Sequence, residues 1–374
     1  MSSSSSTTSS AASRMQRWFP GTAYPLVVSA PMDFVTNPKL VTEVVKAKGF
    51  GFIQGGRTFT PDSPVLSQLE AQLSSARQLL ADGHDNKNVD EKGTLPLGVG
   101  FVLYSACAKS HFKDTIIPIL AKHRPAAVWL FAPDPKLEKT LDYVIQALRA
   151  TPSATDSSWS PKIVVQVGTV SAAREAAELS ADIIVAQGVD AGGHQFAKGA
   201  GIVSLVPEIQ DMLLHEFPDK DIAVWAAGGL ADGRGVAAAL ALGAEAAVLG
   251  TRYMVAVEAD TQDFKRKAVL SASDGGLNTV KSQLHDHIQG NFEWPNLYDG
   301  RAIVHPSYID HEAGLPHADN ELRFREAKET GDTSRTVTWS GTGVGLVRSE
   351  LPAAEITKAV RDEASHIIKK LATG

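Results

Sequence analysis

The stretch Ala186-Gln187-Gly188-Val189-Asp190-Ala191-Gly192-Gly193-His194 places one imidazole just beyond an apolar segment, Asp182–Ala186, of strand length. A buried strand needs no glycine pair at its end unless the backbone turns with positive φ or passes close to a ligand. A histidine presented by such a turn exchanges a proton near neutral pH. Read alone, the same residues also describe a glycine-rich turn with a solvated histidine, so further motifs are needed.

A second motif starts at Ile222-Ala223-Val224-Trp225-Ala226-Ala227-Gly228-Gly229, continues through Leu230-Ala231-Asp232-Gly233-Arg234-Gly235 and a small-residue stretch to Leu242, and ends in Ala246-Ala247-Val248-Leu249-Gly250-Thr251-Arg252. It reads as strand, turn, helix, strand, turn, with Asp232 as N-cap and Gly243 as helix stop. Two successive strand-to-helix turns therefore carry glycine. Glycine lets backbone N–H groups approach a phosphate with no Cβ in the way, and a helix N-terminus adds positive potential. In (β/α)8 barrels the common phosphate site uses the loops after the seventh and eighth strands.

The elements that must position these turns follow from Tyr24 to about Ala259, where short apolar runs alternate with helical patterns. The expected strands are Leu26–Ala30, Phe50–Gln54, Leu97–Val102, Ala127–Phe131, Ile163–Val167, Asp182–Ala186, Ile222–Ala226 and Ala246–Leu249. Helical patterns include Pro38–Lys48, Pro64–Ala81, Lys136–Ala150, Ser171–Leu179 and Gly233–Leu242. Continuous apolar runs are buried on both faces, which predicts an α/β fold, a (β/α)8 TIM barrel over residues 15–260. An open doubly wound sheet would carry a GxGxxG fingerprint after its first strand; Ser29-Ala30-Pro31-Met32-Asp33 stands there instead. The more polar residues 261–338 show no strand-length apolar run and are expected as an added, mostly helical lid over the barrel mouth. Residues 339–374 read as a glycine-rich loop, Gly341-Thr342-Gly343-Val344-Gly345, and a terminal helix near Ala353–Leu371 that returns to the barrel.

Composition narrows the partners. Of 374 residues 43% are hydrophobic and 21% charged, and 36 Lys plus Arg against 42 Asp plus Glu leave a net charge of −6. No basic field invites nucleic acid or an anionic membrane, so a small molecule is the expected ligand. The single cysteine, Cys107, excludes an internal disulfide or a CxxC metal site, fits a reducing compartment, and reads as strand-end packing. Residues 1–14, rich in Ser, Thr and Ala, are expected as a disordered leader. No apolar run approaches the roughly 20 residues of a membrane span, and a cytoplasmic protein is expected.

Together the Ala30-Pro31-Met32 strand end, the Gln187 to His194 loop, the Ala227-Gly228-Gly229 and Leu249-Gly250-Thr251-Arg252 turns and the late Gly341–Gly345 loop resemble the nitronate monooxygenase (2-nitropropane dioxygenase) family, over roughly residues 24–370. The resemblance implies an FMN-containing barrel that oxidises alkyl nitronates with O2 to a carbonyl compound and nitrite. His194 matches the family's active-site histidine, as base or as hydrogen-bond partner to the substrate. Ala30, Pro31 and Met32 match the segment against the flavin ring. Gln187, Gly192 and Gly193 match the loop beside the ring, and Gly228, Gly229, Gly250 and Thr251 the phosphate turns. Gln166, at the end of the fifth strand, is a further candidate for bonding the ring.

The chain also departs from the family pattern. Asp33 and Phe34 follow Ala-Pro-Met where small residues are usual, which bears on substrate size. Gly98-Val99-Gly100-Phe101 stands where Gly-Val-Asn is common, which bears on nitronate turnover more than on FMN binding. The segment around His285-Asp286-His287 and Trp294-Pro295 looks like fungal-type relatives. The HxH spacing fixes no third ligand, so no metal is expected. Asp190 and Asp33 are candidates to orient His194, with solvated loop carboxylates the ordinary alternative. An FMN-dependent NAD(P)H reductase of quinone or enoyl-thioester type, a non-catalytic flavin-binding barrel, and a flavin-free sugar-phosphate barrel remain alternatives, and a homodimer stays open.

Overall fold

A computed structural model of the chain describes residues 11–82, 93–154 and 159–373. Eight parallel strands close a barrel: β1 (Leu26–Ser29), β2 (Phe50–Gln54), β3 (Leu95–Val102), β4 (Pro125–Phe131), β5 (Lys162–Val167), β6 (Ile183–Gln187), β8 (Ala223–Ala227) and β9 (Ala246–Leu249), with β9 pairing back on β1. The expected barrel is present. Strands this apolar form because one face points into the barrel and the other under the helices, so neither meets water.

Alternation along each strand separates two cores. Val28, Phe50, Phe52, Trp129, Val164, Val185, Trp225 and Val248 fill the barrel, while Val27, Ile53, Val99, Val128, Val165 and Val224 pack outward against helices. The same alternation aims Gln54, Gly98, Gly100, Gln166 and Gln187 inward. Gly98 is glycine because the Phe52 ring stands 2.2 Å from where its Cβ would be.

Helix starts follow local chemistry. Asn37, Ser63, Thr169 and Asp232 each accept a backbone N–H of the helix they precede, and Pro38 and Pro64 occupy the first turn. Gly243, at φ 104°, ends the helix Gly233–Ala241 as expected. The long last helix, Ala353–Thr373, packs so closely on Gly233 that a Cβ there would stand 2.5 Å from the Ala364 nitrogen.

Several features differ from the sequence expectation. Residues 1–10 of the leader lie outside the described residues, but a helix, Ala11–Trp18, already begins inside the expected leader and plugs the barrel floor. Met15 and Phe19 are buried there, the Trp225 indole N–H donates to Met15 Sδ at 3.3 Å, and Arg14 pairs with Asp221 and Glu245. Cys107 is the first residue of the helix Cys107–His123, not part of a strand end; its Sγ accepts from Phe59 N–H.

His194 sits on a strand rather than in a turn. β7 (Gly193–Phe196) follows β6 directly, outside the barrel. It pairs with β11 (Tyr298–Ile303), which pairs with β10 (Thr279–Ser282), in a three-stranded antiparallel sheet that places Gly300 opposite His194. The added residues 261–338 are mainly helical, as expected, but they also supply β10 and β11. Both are short and mixed in polarity: along β11 buried Tyr298, Gly300 and Ala302 alternate with half-buried Asp299, Arg301 and Ile303, and Lys281 of β10 pairs with Asp299. No period-two apolar signal marked them.

Candidate active site at the barrel mouth

The C-terminal strand ends carry a relay of side-chain amides. The Trp129 indole N–H donates to Gln166 Oε1 at 3.0 Å, Gln166 Nε2 donates to Gln187 Oε1 at 2.7 Å, and Gln187 Nε2 donates to the His194 carbonyl at 3.2 Å. The amide orientations are mutually consistent, since each oxygen accepts and each nitrogen passes the chain on. The relay ties β4, β5, β6 and β7 together directly under the imidazole. Gln54, inward at the end of β2, faces the same space with its Oε1 3.5 Å from where a Cβ at position 100 would stand. Sequence reading passed over Gln54, although it has the same signal as Gln166: a polar residue of inward parity closing an apolar strand.

His194 Nε2 lies 3.0 and 2.9 Å from the two carboxylate oxygens of Asp286, on the short helix Leu284–His287. Asp286 is 4% exposed. A carboxylate only accepts, so Nε2 carries a proton, and in the neutral ring Nδ1 is the nitrogen that presents its lone pair. Trp294 stacks on the imidazole, with ring centroids 3.7 Å apart and planes 9° apart, and Trp339 meets it tilted at 4.7 Å. Gly300 is glycine because Trp339 fills the space its Cβ would take.

The two carboxylates that were candidates to orient His194 have other hydrogen-bond partners. Asp190 Oδ1 accepts from the Thr342 hydroxyl at 2.9 Å. Asp33 Oδ2 accepts from Arg57 Nη1 at 3.4 Å, and burial pushes its carboxyl up against the lowering effect of Arg57. The partner is Asp286, from the trio weighed above as a metal motif.

That trio divides among three environments. His285 Nε2 donates to the Val280 carbonyl at 3.0 Å, which leaves its Nδ1 to accept from His305 Nε2 at 3.0 Å. Burial, reinforced by His285 and Arg335, pushes the His305 imidazole down to about 4. His287 stacks on Phe292. Among the described residues no group of three His, Cys, Asp or Glu side chains could hold a metal ion.

The glycines expected beside the flavin ring (Gly192, Gly193) and around its phosphate (Gly228, Gly229, Gly250) separate into two kinds. A Cβ on Gly192 would stand 2.4 Å from the Gly341 nitrogen, one on Gly228 2.7 Å from the Gly188 carbonyl oxygen, and one on Gly229 3.0 Å from Asp190 Cβ. Packing between loops explains these three. The late Gly341–Gly345 loop, a 3-10 turn from Thr342 to Leu346, wedges between the loops after β6 and β8. Its Gly341 N–H donates to Thr251 Oγ1 at 3.0 Å.

Gly193 and Gly250 are different. A Cβ on Gly193 would meet nothing within 4 Å, and one on Gly250 only Met32 Sδ at 3.8 Å. No protein atom requires glycine at 250, so its missing side chain leaves the turn after β9 open to close approach by a ligand. This turn, beside Thr251 and Met32, fits the phosphate end of a mononucleotide.

Position 100 explains a departure from the family pattern. A Cβ there would stand 2.5 Å from Pro31 Cβ, so the ring of Pro31 occupies the space an asparagine would need.

Fold and site together define a (β/α)8-barrel enzyme whose chemistry is set at the carboxyl ends of its strands. The family model for nitronate monooxygenase matches residues 154–363. The chain is 48% identical, over 96% of its length and 94% of the relative's, to a nitronate monooxygenase of Neurospora crassa. It is 36% identical to the nitronate monooxygenase npaC of Metarhizium robertsii, covering 93% of each chain. It belongs to the nitronate monooxygenase family. In fold it is similar to FabK from Thermotoga maritima (TM-score 0.69, 23% identity, covering 96% of this chain and 98% of that one). It is equally similar to a nitroalkane oxidase from Streptomyces ansochromogenes (TM-score 0.69, 22% identity, covering 97% and 100%).

Proposed function

We propose that the protein is an FMN-dependent monooxygenase that oxidises an alkyl nitronate, or a related activated C–H acid, with O2 to a carbonyl compound and nitrite. One observation carries the chemistry: buried Asp286 holds His194 through Nε2, so that in the neutral ring Nδ1 is the nitrogen left to accept a proton. That nitrogen accepts the proton from the carbon next to a nitro group, and after protonation donates to the nitronate oxygen. The stacked Trp294 and the bond to Asp286 keep the ring from turning, and the Gln187 bond to the His194 carbonyl fixes the backbone that carries it.

FMN, when bound, supplies the redox chemistry. Gly228, Gly229, Gly250 and Thr251 would hold its phosphate. Ala30, Pro31 and Met32 would lie against its ring, with Gln166, Gln187, Gly192 and Gly193 along the edge near His194. Family membership and the open turn at Gly250 support this reading. We assign residues 261–338 as the wall and cover of the substrate pocket, since Asp286 and Trp294 come from them.

Among the described residues no helix is long and apolar enough to cross a membrane. With one cysteine in the whole chain, we assign the protein to the cytoplasm.

The test is the visible spectrum of the purified protein followed by anaerobic mixing with a nitronate and, separately, with NADH. Bleaching of a bound flavin by the nitronate alone supports the proposal. A colourless protein indifferent to added FMN, or bleaching by NADH but not by nitronate, overturns it.

A further inference from the structure

Trp294 lies on the strap that joins the helix Leu284–His287 to β11. The strap is tied at its ends, where Asn291 N–H donates to the Asp286 carbonyl and Ala197 N–H to the Leu297 carbonyl. Between these ties Glu293 N–H donates to Asn291 Oδ1 and Tyr298 N–H to the Pro295 carbonyl, and Phe292 is 64% exposed. Ring packing therefore positions the indole. It lies parallel to His194 at 3.7 Å, with Tyr104 at 4.7 Å, Tyr298 at 6.2 Å and Phe131 at 6.4 Å. Tyr104, which follows β3, is 5% exposed, and its buried hydroxyl makes no hydrogen bond of good geometry, with the Glu293 carboxylate of the same strap as its polar neighbour.

We propose that Trp294 is the residue that limits substrate size: its indole walls the pocket beside His194, and behind it Tyr104 offers a buried hydroxyl that a longer substrate reaches only when the indole is gone. The proposal rests on the reading above, that substrate meets His194. Each methylene buried in an apolar pocket strengthens binding roughly four-fold. The gain stops where the chain meets a wall held by packing on every side.

The experiment titrates linear nitroalkanes from nitroethane to nitrohexane into the purified protein with its flavin, by calorimetry, and measures kcat/KM on the corresponding nitronates. In the parent, affinity stops rising at a short chain. In Trp294→Ala the rise continues, so the ratio of long-chain to short-chain affinity grows by about 10-fold or more, roughly two methylenes' worth. Trp294→Phe, which keeps an aromatic wall, falls between. A terminal hydroxyl on the long chain adds affinity in Trp294→Ala and loses that addition when Tyr104→Phe is combined with it.

An unchanged chain-length profile in Trp294→Ala, with flavin content and melting temperature equal to the parent's, overturns the proposal; so does the absence of nitroalkane binding to every form. Trp294-dependent binding without turnover of any nitronate would overturn the monooxygenase reading and leave the size wall standing.

Discussion

Asp286 grips His194 Nε2 with both carboxylate oxygens, at 3.0 and 2.9 Å, across 92 residues of sequence. The pair joins an imidazole contributed by the barrel loop to a carboxylate contributed by the added segment, so the proposed base is complete only when both parts of the chain are folded. A carboxylate that fixes a tautomer acts through the histidine, and its loss leaves the ring present but free to turn.

Asp286→Asn is expected to lower kcat/KM on a good nitronate about 10- to 100-fold, with flavin content unchanged. Asp286→Glu should recover part of the loss. The double variant Asp286→Asn, His194→Asn should be no slower than His194→Asn alone, because the two side chains act as one unit. Additive losses in steady-state kinetics would show that they act separately.

The glycines permit a sharper separation than activity alone. Gly192→Ala forces a Cβ to 2.4 Å from the Gly341 nitrogen and should cost about 1–3 kcal/mol or more, read as a lower melting temperature. Gly250→Ala, at φ −107° with only Met32 Sδ at 3.8 Å, should leave the melting temperature of the flavin-free protein unchanged and reduce FMN retention. Equal FMN occupancy in Gly250→Ala and the parent would remove that turn from the phosphate site.

Gly100→Asn, which restores the commoner family residue, should not improve turnover. Its Cβ would stand 2.5 Å from Pro31, so either Pro31 shifts or the strand end does. A lower melting temperature and lower kcat/KM are expected. A faster, equally stable variant would show that Pro31 yields.

Stability should fall as pH rises from the ordinary carboxylate range to about 7 because of Glu245 on the barrel floor. Burial, opposed by Arg14, raises its carboxyl from 4.5 to about 7. The folded protein therefore binds this proton more tightly than the unfolded chain, so the contribution is full below the ordinary carboxylate range and is lost as pH climbs to about 7. The loss is up to about 3 kcal/mol. Melting temperatures from about pH 5 to about pH 8 should drop in the parent and flatten in Glu245→Gln.

Much of the barrel was legible from the residues themselves. Uninterrupted apolar runs such as Phe50–Gln54 and Ala223–Ala227 have nowhere to go but a sheet covered on both faces, and Asn37, Thr169 and Asp232 mark helix starts by side-chain chemistry that acts within three residues. Its place at the end of an apolar strand picked out Gln166 and would have picked out Gln54 by the same rule.

What acts over long sequence distances was not legible. Asp286 in a polar HxH context looks like surface until β11 pairs with β7 and carries the segment onto the mouth. The reason for Gly192 stands some 150 residues away at Gly341, and that for Gly100 at Pro31, where steric demand leaves no local pattern. Sequence determines what each segment buries and which groups can exchange a proton. Only the tertiary structure decides which carboxylate faces the imidazole and which glycines answer to a ligand, because hydrogen bonds and close contacts depend on where closure of the barrel brings remote backbones together.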